Sequence, residues 1–245
     1  MNRISFLSGL PRSGSTLLVN LLNQNPLLYA SNESKYLFDV LQGNSGEHYD
    51  HITKPYVIDN NRAWGNNESL SLLTSLPNAK VIVTIRPILE ILASFIQLAE
   101  SNPDNYIDRF MKEENFQALH YRPINDARCD WLMAPQNQLD NNFLAVHNLL
   151  KYPQMVHVIN YSTLTTEPQK TLNDLYKFFE LEPYSHNFNK IETLERVDDK
   201  TLYGIPTMHE VRPQLDKSKT NYEAVLSDYV ITKYSNALNF MQDWL

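Results

Sequence analysis

The chain has one cysteine, Cys129, so it forms no intrachain disulfide and no cysteine-rich metal site, and it suits a reducing compartment. It has no excess of basic charge: 21 Lys and Arg against 28 Asp and Glu leave a net charge of −7. A general nucleic-acid or anionic-membrane binder needs a basic surface, so both classes are excluded. Any phosphate the chain binds must be held by a local site. Long hydrophobic runs are also missing. The uncharged stretch 13–32 comes nearest to one, but Asn20, Asn23, Gln24, Asn25 and Pro26 exclude a spanning helix. The apolar run at the start is too short for a signal peptide before Pro11 and Arg12 interrupt it, so the expectation is a soluble, cytoplasmic protein. There is no internal repeat, no Gly/Ser linker and no block of like charge. Six glycines in 245 residues are few, and two of them, Gly9 and Gly14, bracket the most informative segment.

What is present is a chain of 245 residues, 42% apolar and 20% charged, enough for one globular domain with a proper core over residues 1–245. Ile4–Ser8 reads as a short buried strand, followed by the loop Gly9-Leu-Pro-Arg-Ser-Gly14. From Ser15 the spacing of Leu17, Leu18, Leu21 and Leu22 predicts a helix that Pro26 stops after Asn25. The continuous β-branched run Val81–Ile85 predicts a strand buried on both faces, and Pro87 opens a helix through Ile88, Leu89, Ile91, Leu92 and Phe95. Val156–Asn160 is a third strand, with a helix from Pro168 to Phe179 behind it. Residues 106–152 read as mostly helical, 185–222 as weakly periodic, and Tyr222–Leu245 as an amphipathic helix. Strands alternating with helices predict an α/β domain around a central parallel sheet flanked by helices.

Gly9 to Thr16 follows the phosphate-loop pattern G-x-x-x-x-G-K-[ST] at Gly9, Gly14 and Thr16, but Ser15 stands where the lysine belongs. The amides that follow Gly14, through Ser15 and Thr16, open a helix, where partial positive charge and unpaired N–H groups favour an anion. Arg12, inside the loop beside Ser13, can fork onto a phosphate-like group. The strand 81–85 runs into Arg86, where a nucleoside triphosphatase would place a metal-holding aspartate. Ser94 lies two helical turns further on and can turn a hydroxyl to an anion. Two anion sites with neither lysine nor aspartate describe a doubly phosphorylated nucleotide bound without metal.

Gly9-Leu-Pro-Arg-Ser-Gly-Ser-Thr-Leu-Leu18 resembles the 5′-phosphosulfate loop of sulfotransferases that use 3′-phosphoadenosine-5′-phosphosulfate (PAPS), in its bacterial, tyrosylprotein and carbohydrate branches. Arg86 with Ser94 matches that family's 3′-phosphate pair. Val158-Ile-Asn-Tyr-Ser-Thr-Leu164, with Pro168 and the helix ending Phe-x-x-Leu behind it, resembles the later block of the family. The resemblance covers roughly residues 1–182. It implies a P-loop nucleotide-hydrolase-like sulfotransferase fold. It also implies transfer of a sulfuryl group from PAPS to an acceptor hydroxyl, without metal, and a cofactor site of Arg12, Ser13, Gly14, Ser15, Thr16, Arg86, Ser94, Tyr161 and Lys217. Lys217 corresponds to a lysine of the family's nucleotide-clamping loop, and Lys219 and Arg212 are equally reachable.

The acceptor hydroxyl must lose a proton, and the departing bisphosphate must have its charge stabilised. The resemblance places the base at Glu33, which stands 21 positions after Arg12 as in the tyrosylprotein branch, while Asn32 replaces that branch's preceding glutamate. His48 and His51 are the competitors, since other branches use histidine. The family's leaving-group lysine is missing from Asp59-Asn-Asn-Arg62, and Arg62 takes its place. The acceptor is a peptide tyrosine, a sugar hydroxyl, or a small alcohol or phenol. No nucleic-acid or membrane partner is expected, and a homodimer is left open. The rival readings are a P-loop small-molecule kinase, against which Ser15 and Arg86 argue, and a non-catalytic nucleotide-binding module.

Overall fold

A computed structural model of the protein describes residues 3–32, 34–44, 48–193, 198–216 and 221–244. Its five strands are β1 (Arg3–Gly9), β2 (Leu28–Ala30), β3 (Tyr56–Asn60), β4 (Val81–Ile85) and β5 (Val156–Asn160). The α-helices, in chain order, are α1 (Ser15–Leu22), α2 (Tyr36–Leu41), α3 (Asn67–Ser75), α4 (Ile88–Ser101), α5 (Tyr106–Glu113), α6 (Ile124–Leu132), α7 (Gln138–Leu150), α8 (Tyr161–Thr166), α9 (Pro168–Phe179), α10 (Asp199–Tyr203) and α11 (Asp228–Tyr234). The chain forms two compact units. The first is 1–85, 142–195 and 211–217; the second is 86–141, 196–210 and 218–245.

The first unit holds the sheet. Every strand pair is parallel, in the order β2-β3-β1-β4-β5. Successive residues of β1 serve opposite faces. Leu7 enters a core with Leu18, Leu22, Ile82, Leu164, Leu172 and Tyr176, supplied by β4, α1, α8 and α9. Phe6 points the other way onto Trp64, with ring centroids 4.5 Å apart. On that side Gly65, at φ 136°, lets α7 approach so closely that a Cβ would collide with the Ala145 carbonyl. From β1 the chain turns one way, to β2 and β3, and then returns past β1 to β4. This reversal leaves a crevice at the carboxyl ends of β1 and β4, where open parallel sheets bind ligands.

Three features depart from the sequence-based expectation. Strand β3 was not anticipated: its five residues end in Asp-Asn, and only pairing with β1 and β2 makes them a strand. Helix α1 ends at Leu22 rather than Asn25. The Asn23 amide instead donates to the Ala30 carbonyl at 2.7 Å and accepts from the Ala30 amide at 2.9 Å, while the Asn25 side chain accepts from the Leu27 amide at 2.9 Å. Asparagine here competes with the helix for backbone groups.

The third departure is in the second unit, where Tyr222–Leu245 is not one helix. A 3₁₀ turn over Tyr222–Ala224, helix α11 and a 3₁₀ stretch over Asn239–Trp244 replace it. Asn221 and Ser227 each start a new segment by accepting from an amide three residues on. Asp130 of α6 then holds α11 through Tyr229, Lys233 and Tyr234. Cys129 of α6 is buried, and desolvation with the nearby charges of Asp126 and Asp130 raises its thiol pKa, which excludes a reactive nucleophile there. No helix among the described residues is long and apolar enough to cross a membrane.

Candidate active site

The loop between β1 and α1 has the geometry of an anion cradle. Gly9, at φ 142°, has no room for a side chain because Thr84 of β4 lies against it. Arg12 at φ 59° and Gly14 at φ 91° both adopt the left-handed conformation, which turns the chain sharply into α1. No side chain caps that helix. Its first-turn amides, at Ser15, Thr16 and Leu17, lie too early in the helix for an i−4 partner. A second anchor secures the loop from beneath. The buried Ser13 hydroxyl meets the Leu10 carbonyl at 2.5 Å and the Thr84 hydroxyl at 2.7 Å. The Ser13 hydroxyl therefore serves the loop itself.

Two other expected site residues adjoin this loop. A Cβ on Gly14 would lie 2.7 Å from the Tyr161 ring, so Tyr161, at the start of α8, packs directly on the loop. Ser8, one residue before Gly9, donates to the Arg62 carbonyl at 3.0 Å and draws the segment after β3 to the end of β1. Arg62 itself is half-buried. Glu33 and Lys217 lie outside the described residues. Of the other candidates near Lys217, Lys219 does as well, and Arg212 is ion-paired with Asp216.

Ser34, the residue after Glu33, is fastened to β3. The Ser34 amide donates to the Asn60 carbonyl at 2.9 Å, and the Asn61 side chain donates to the Ser34 carbonyl at 3.0 Å. The Ser34 hydroxyl is 2.9 Å from the Tyr49 hydroxyl, which donates to Asp59. Asp59, fully buried on β3, also accepts from the Trp64 indole at 2.5 Å. Burial pushes the Asp59 carboxyl up from its ordinary range, while the donors Ser34, Tyr49 and Trp64 hold it down. Tyr49 is raised well above a normal phenol by burial and by the Asp59 charge.

Next to Tyr49 stands His48. Its Nδ1 is 2.5 Å from the Asp39 carboxylate, and its ring rests edge-on against Tyr49 at 4.6 Å. A carboxylate on Nδ1 fixes the tautomer that leaves Nε2 with a lone pair for a proton. His51 is exposed. The Asp39–His48 pair and the Asp59 network were not read from the sequence. The partners are 9 and 10 residues apart along an irregular loop, with no periodicity to show them.

In the second unit Arg86 is 6% exposed and donates from Nε to Glu90 at 3.0 Å, an i,i+4 pair at the start of α4. Glu90 was missed, although its spacing from Arg86 was visible. Ser94, on the same helix, is half-buried. Among the described residues no group of three or more His, Cys, Asp or Glu is placed to hold a metal.

The site so far has an anion cradle, a tyrosine on it, an arginine drawn beside it and a carboxylate-oriented histidine in the same unit. Residues 67–186, which include Arg86, Ser94 and Tyr161, match the Sulfotransferase family. Among solved structures the chain is similar to the sulfotransferase domain of the curacin biosynthetic pathway, at 15% identity over 96% of this chain and 97% of that one, with a TM-score of 0.58. It is similar to the sulfotransferase domain of the Synechococcus PCC 7002 olefin synthase, at 14% identity over 97% and 94%, with a TM-score of 0.58. It is also similar to mouse sulfotransferase SULT7A1 complexed with PAP, at 14% identity over 99% and 84%, with a TM-score of 0.62. At these identities the likeness is one of fold. No curated protein matches the chain by sequence. The family match covers Arg86, Ser94 and Tyr161, and the fold is that of the solved sulfotransferases: over residues 67–186 the chain is similar to the Sulfotransferase family.

Proposed function

We propose that the donor is PAPS, held by the loop Arg12–Thr16 at its 5′-phosphosulfate end and by Arg86 and Ser94 at its 3′-phosphate, with Tyr161 and Lys217 as further cofactor contacts. The observation that carries this reading is the cradle itself: left-handed Arg12 and Gly14 leading into an uncapped helix, with no lysine in the loop. The residues present fit a sulfonated, metal-free nucleotide better than a triphosphate. Backbone amides and Arg12 take the anion, and the strand end carries a cation where a magnesium-binding carboxylate would be needed.

In the transfer the sulfur–oxygen bond to the 5′-phosphate breaks and a sulfur–oxygen bond to the acceptor forms. The bonding pair leaves with adenosine 3′,5′-bisphosphate, and the acceptor's proton goes to a base. Arg62 supplies positive charge for the departing oxygen. The acceptor is a hydroxyl of a peptide tyrosine, a sugar, or a small alcohol or phenol. The protein works in the cytoplasm.

Two residues compete for the proton. Glu33 is favoured by its offset from Arg12. His48 is favoured by its Asp39 partner, 2.5 Å from Nδ1. Titration calorimetry with adenosine 3′,5′-bisphosphate in EDTA, against ATP with magnesium, tests the cofactor; tighter binding of ATP with magnesium would overturn it. Glu33→Gln and His48→Ala then separate the bases. The true base loses turnover by about 10²–10⁴ while nucleotide affinity holds. Full turnover in Glu33→Gln with collapse in His48→Ala assigns the proton to the Asp39–His48 pair.

A further inference from the structure

The second unit contains a cavity of about 450 Å³ that the phosphate chemistry does not use. Its size is that of a small-molecule site. Four of its walls are aromatic: Tyr106, Phe110, Trp131 and Tyr203. The Phe110 and Trp131 rings are nearly parallel, at 10°, with centroids 6.2 Å apart. Tyr106 stands close to perpendicular to both, at 77° and 71°, and Tyr203 is turned 70° from Tyr106. Tyr106 meets the other three rings edge to face, and the four together wall one side of the cavity as an open box.

Among the described residues that line the box, the charged side chain is acidic. It is Glu114, and among the described residues no lysine or arginine lines the cavity. The Glu114 carboxylate accepts from the Trp131 indole at 2.7 Å, which fixes the indole and holds the negative charge at the rim. The surrounding surface already shows what the rings attract: the Arg109 guanidinium lies over the Phe110 ring at 5.4 Å. Aromatic faces carry negative quadrupole density, and a box of them beside a carboxylate is suited to a poorly hydrated cation. An anion would meet repulsion from both the rings and Glu114.

We propose that this cavity binds an organic cation bearing a substituted ammonium group, with Trp131, Tyr106 and Tyr203 as walls and Glu114 as the counter-charge. The assignment stands independently of the sulfuryl-transfer reading. Choline and its neutral isostere 3,3-dimethylbutan-1-ol test it on the intact chain, by calorimetry and by tryptophan fluorescence. Choline should bind saturably, and the isostere about fivefold or more weakly, since only the charge differs. Glu114→Gln, on an exposed side chain whose amide oxygen can still accept from the Trp131 indole, should weaken choline about two- to fivefold and leave the isostere unchanged. Trp131→Phe should abolish the fluorescence response and weaken choline further. Equal affinity for choline and the isostere overturns the proposal. So does the absence of saturable choline binding, or a Glu114→Gln variant that weakens both compounds alike.

Discussion

On the proposed assignment, replacement of Arg86 by alanine removes both its pair with Glu90 and its contact with the 3′-phosphate, and these effects can be separated. Arg86 is 6% exposed and paired with Glu90, whose side chain is 18% exposed. Without the arginine, a largely buried carboxylate loses its partner, which costs about 1–3 kcal/mol of folding stability, between the value for surface pairs and that for buried ones. That loss leaves the affinity of the folded protein unchanged. The loss of a charge-assisted contact to a 3′-phosphate is separate and is worth about 1.5–3 kcal/mol, or roughly 10- to 150-fold in Kd. The double variant Arg86→Ala with Glu90→Gln removes the stranded charge and restores part of the stability, yet keeps the whole affinity defect. Glu90→Gln alone frees the Arg86 guanidinium from a competing anion, so it should hold the nucleotide at least as tightly as the parent. The assay is titration calorimetry with adenosine 3′,5′-bisphosphate and with adenosine 5′-phosphosulfate, which lacks the 3′-phosphate. Folding is followed in parallel by urea denaturation. Only the first nucleotide should weaken. Equal losses for both would show that Arg86 acts elsewhere and would refute the assignment.

Gly14→Ala places a methyl group 2.7 Å from the Tyr161 ring on a residue at φ 91°, so stability should fall by about 1–3 kcal/mol and nucleotide affinity with it. Gly43→Ala, also at positive φ but with nothing within 4 Å of its Cβ, is the control: a smaller stability loss and unchanged affinity, read by the same denaturation and calorimetry. A second expectation concerns pH. His186 is buried against Tyr176, and desolvation lowers its pKa from 6.5 to about 4. The folded state therefore resists a proton that the unfolded chain accepts. Its contribution is complete above pH 6.5 and is lost as pH falls towards 4, by up to about 3 kcal/mol. His186→Gln should flatten the dependence of the urea midpoint over that range, and an unchanged slope would place the titration at another group.

The parts of the fold that were legible in the sequence are those set by local pattern. The β-branched run of β4 and the amphipathic spacing of α9 survive in the structure at the expected residues. Strand β3 was hidden because Tyr56–Asn60 owes its conformation to the strands on either side. The C-terminal segment failed for a related reason. Its helical periodicity is real, but Ser227 both caps α11 and donates to Asp126 at 2.7 Å, so a tertiary contact fixes a break that propensity alone does not require. The phosphate loop was legible since its function depends on backbone shape, which Gly9 and Gly14 announce directly.

The network beside the proposed bases is built on a different principle. The loop is shaped by backbone conformation, with Arg12 and Gly14 in the left-handed region. Ser34 and Tyr49 are instead held by side chains converging on one buried carboxylate. Ser34, next to Glu33, meets the Tyr49 hydroxyl; Tyr49, next to His48, donates to Asp59. Burying Asp59 is unfavourable by itself, and the Tyr49 and Trp64 donors offset that cost only when both are in place. A network of this kind tolerates one arrangement of its loops, since any other strands a charge in the core. Ser34 and Tyr49, the chain neighbours of the two proposed bases, therefore share one anchor at the end of β3, although they are 15 residues apart in the chain. A motif search finds the anion cradle and passes over this anchor, since no spacing rule links Ser34, Tyr49, Asp59 and Trp64. What links them is the desolvation of one carboxylate.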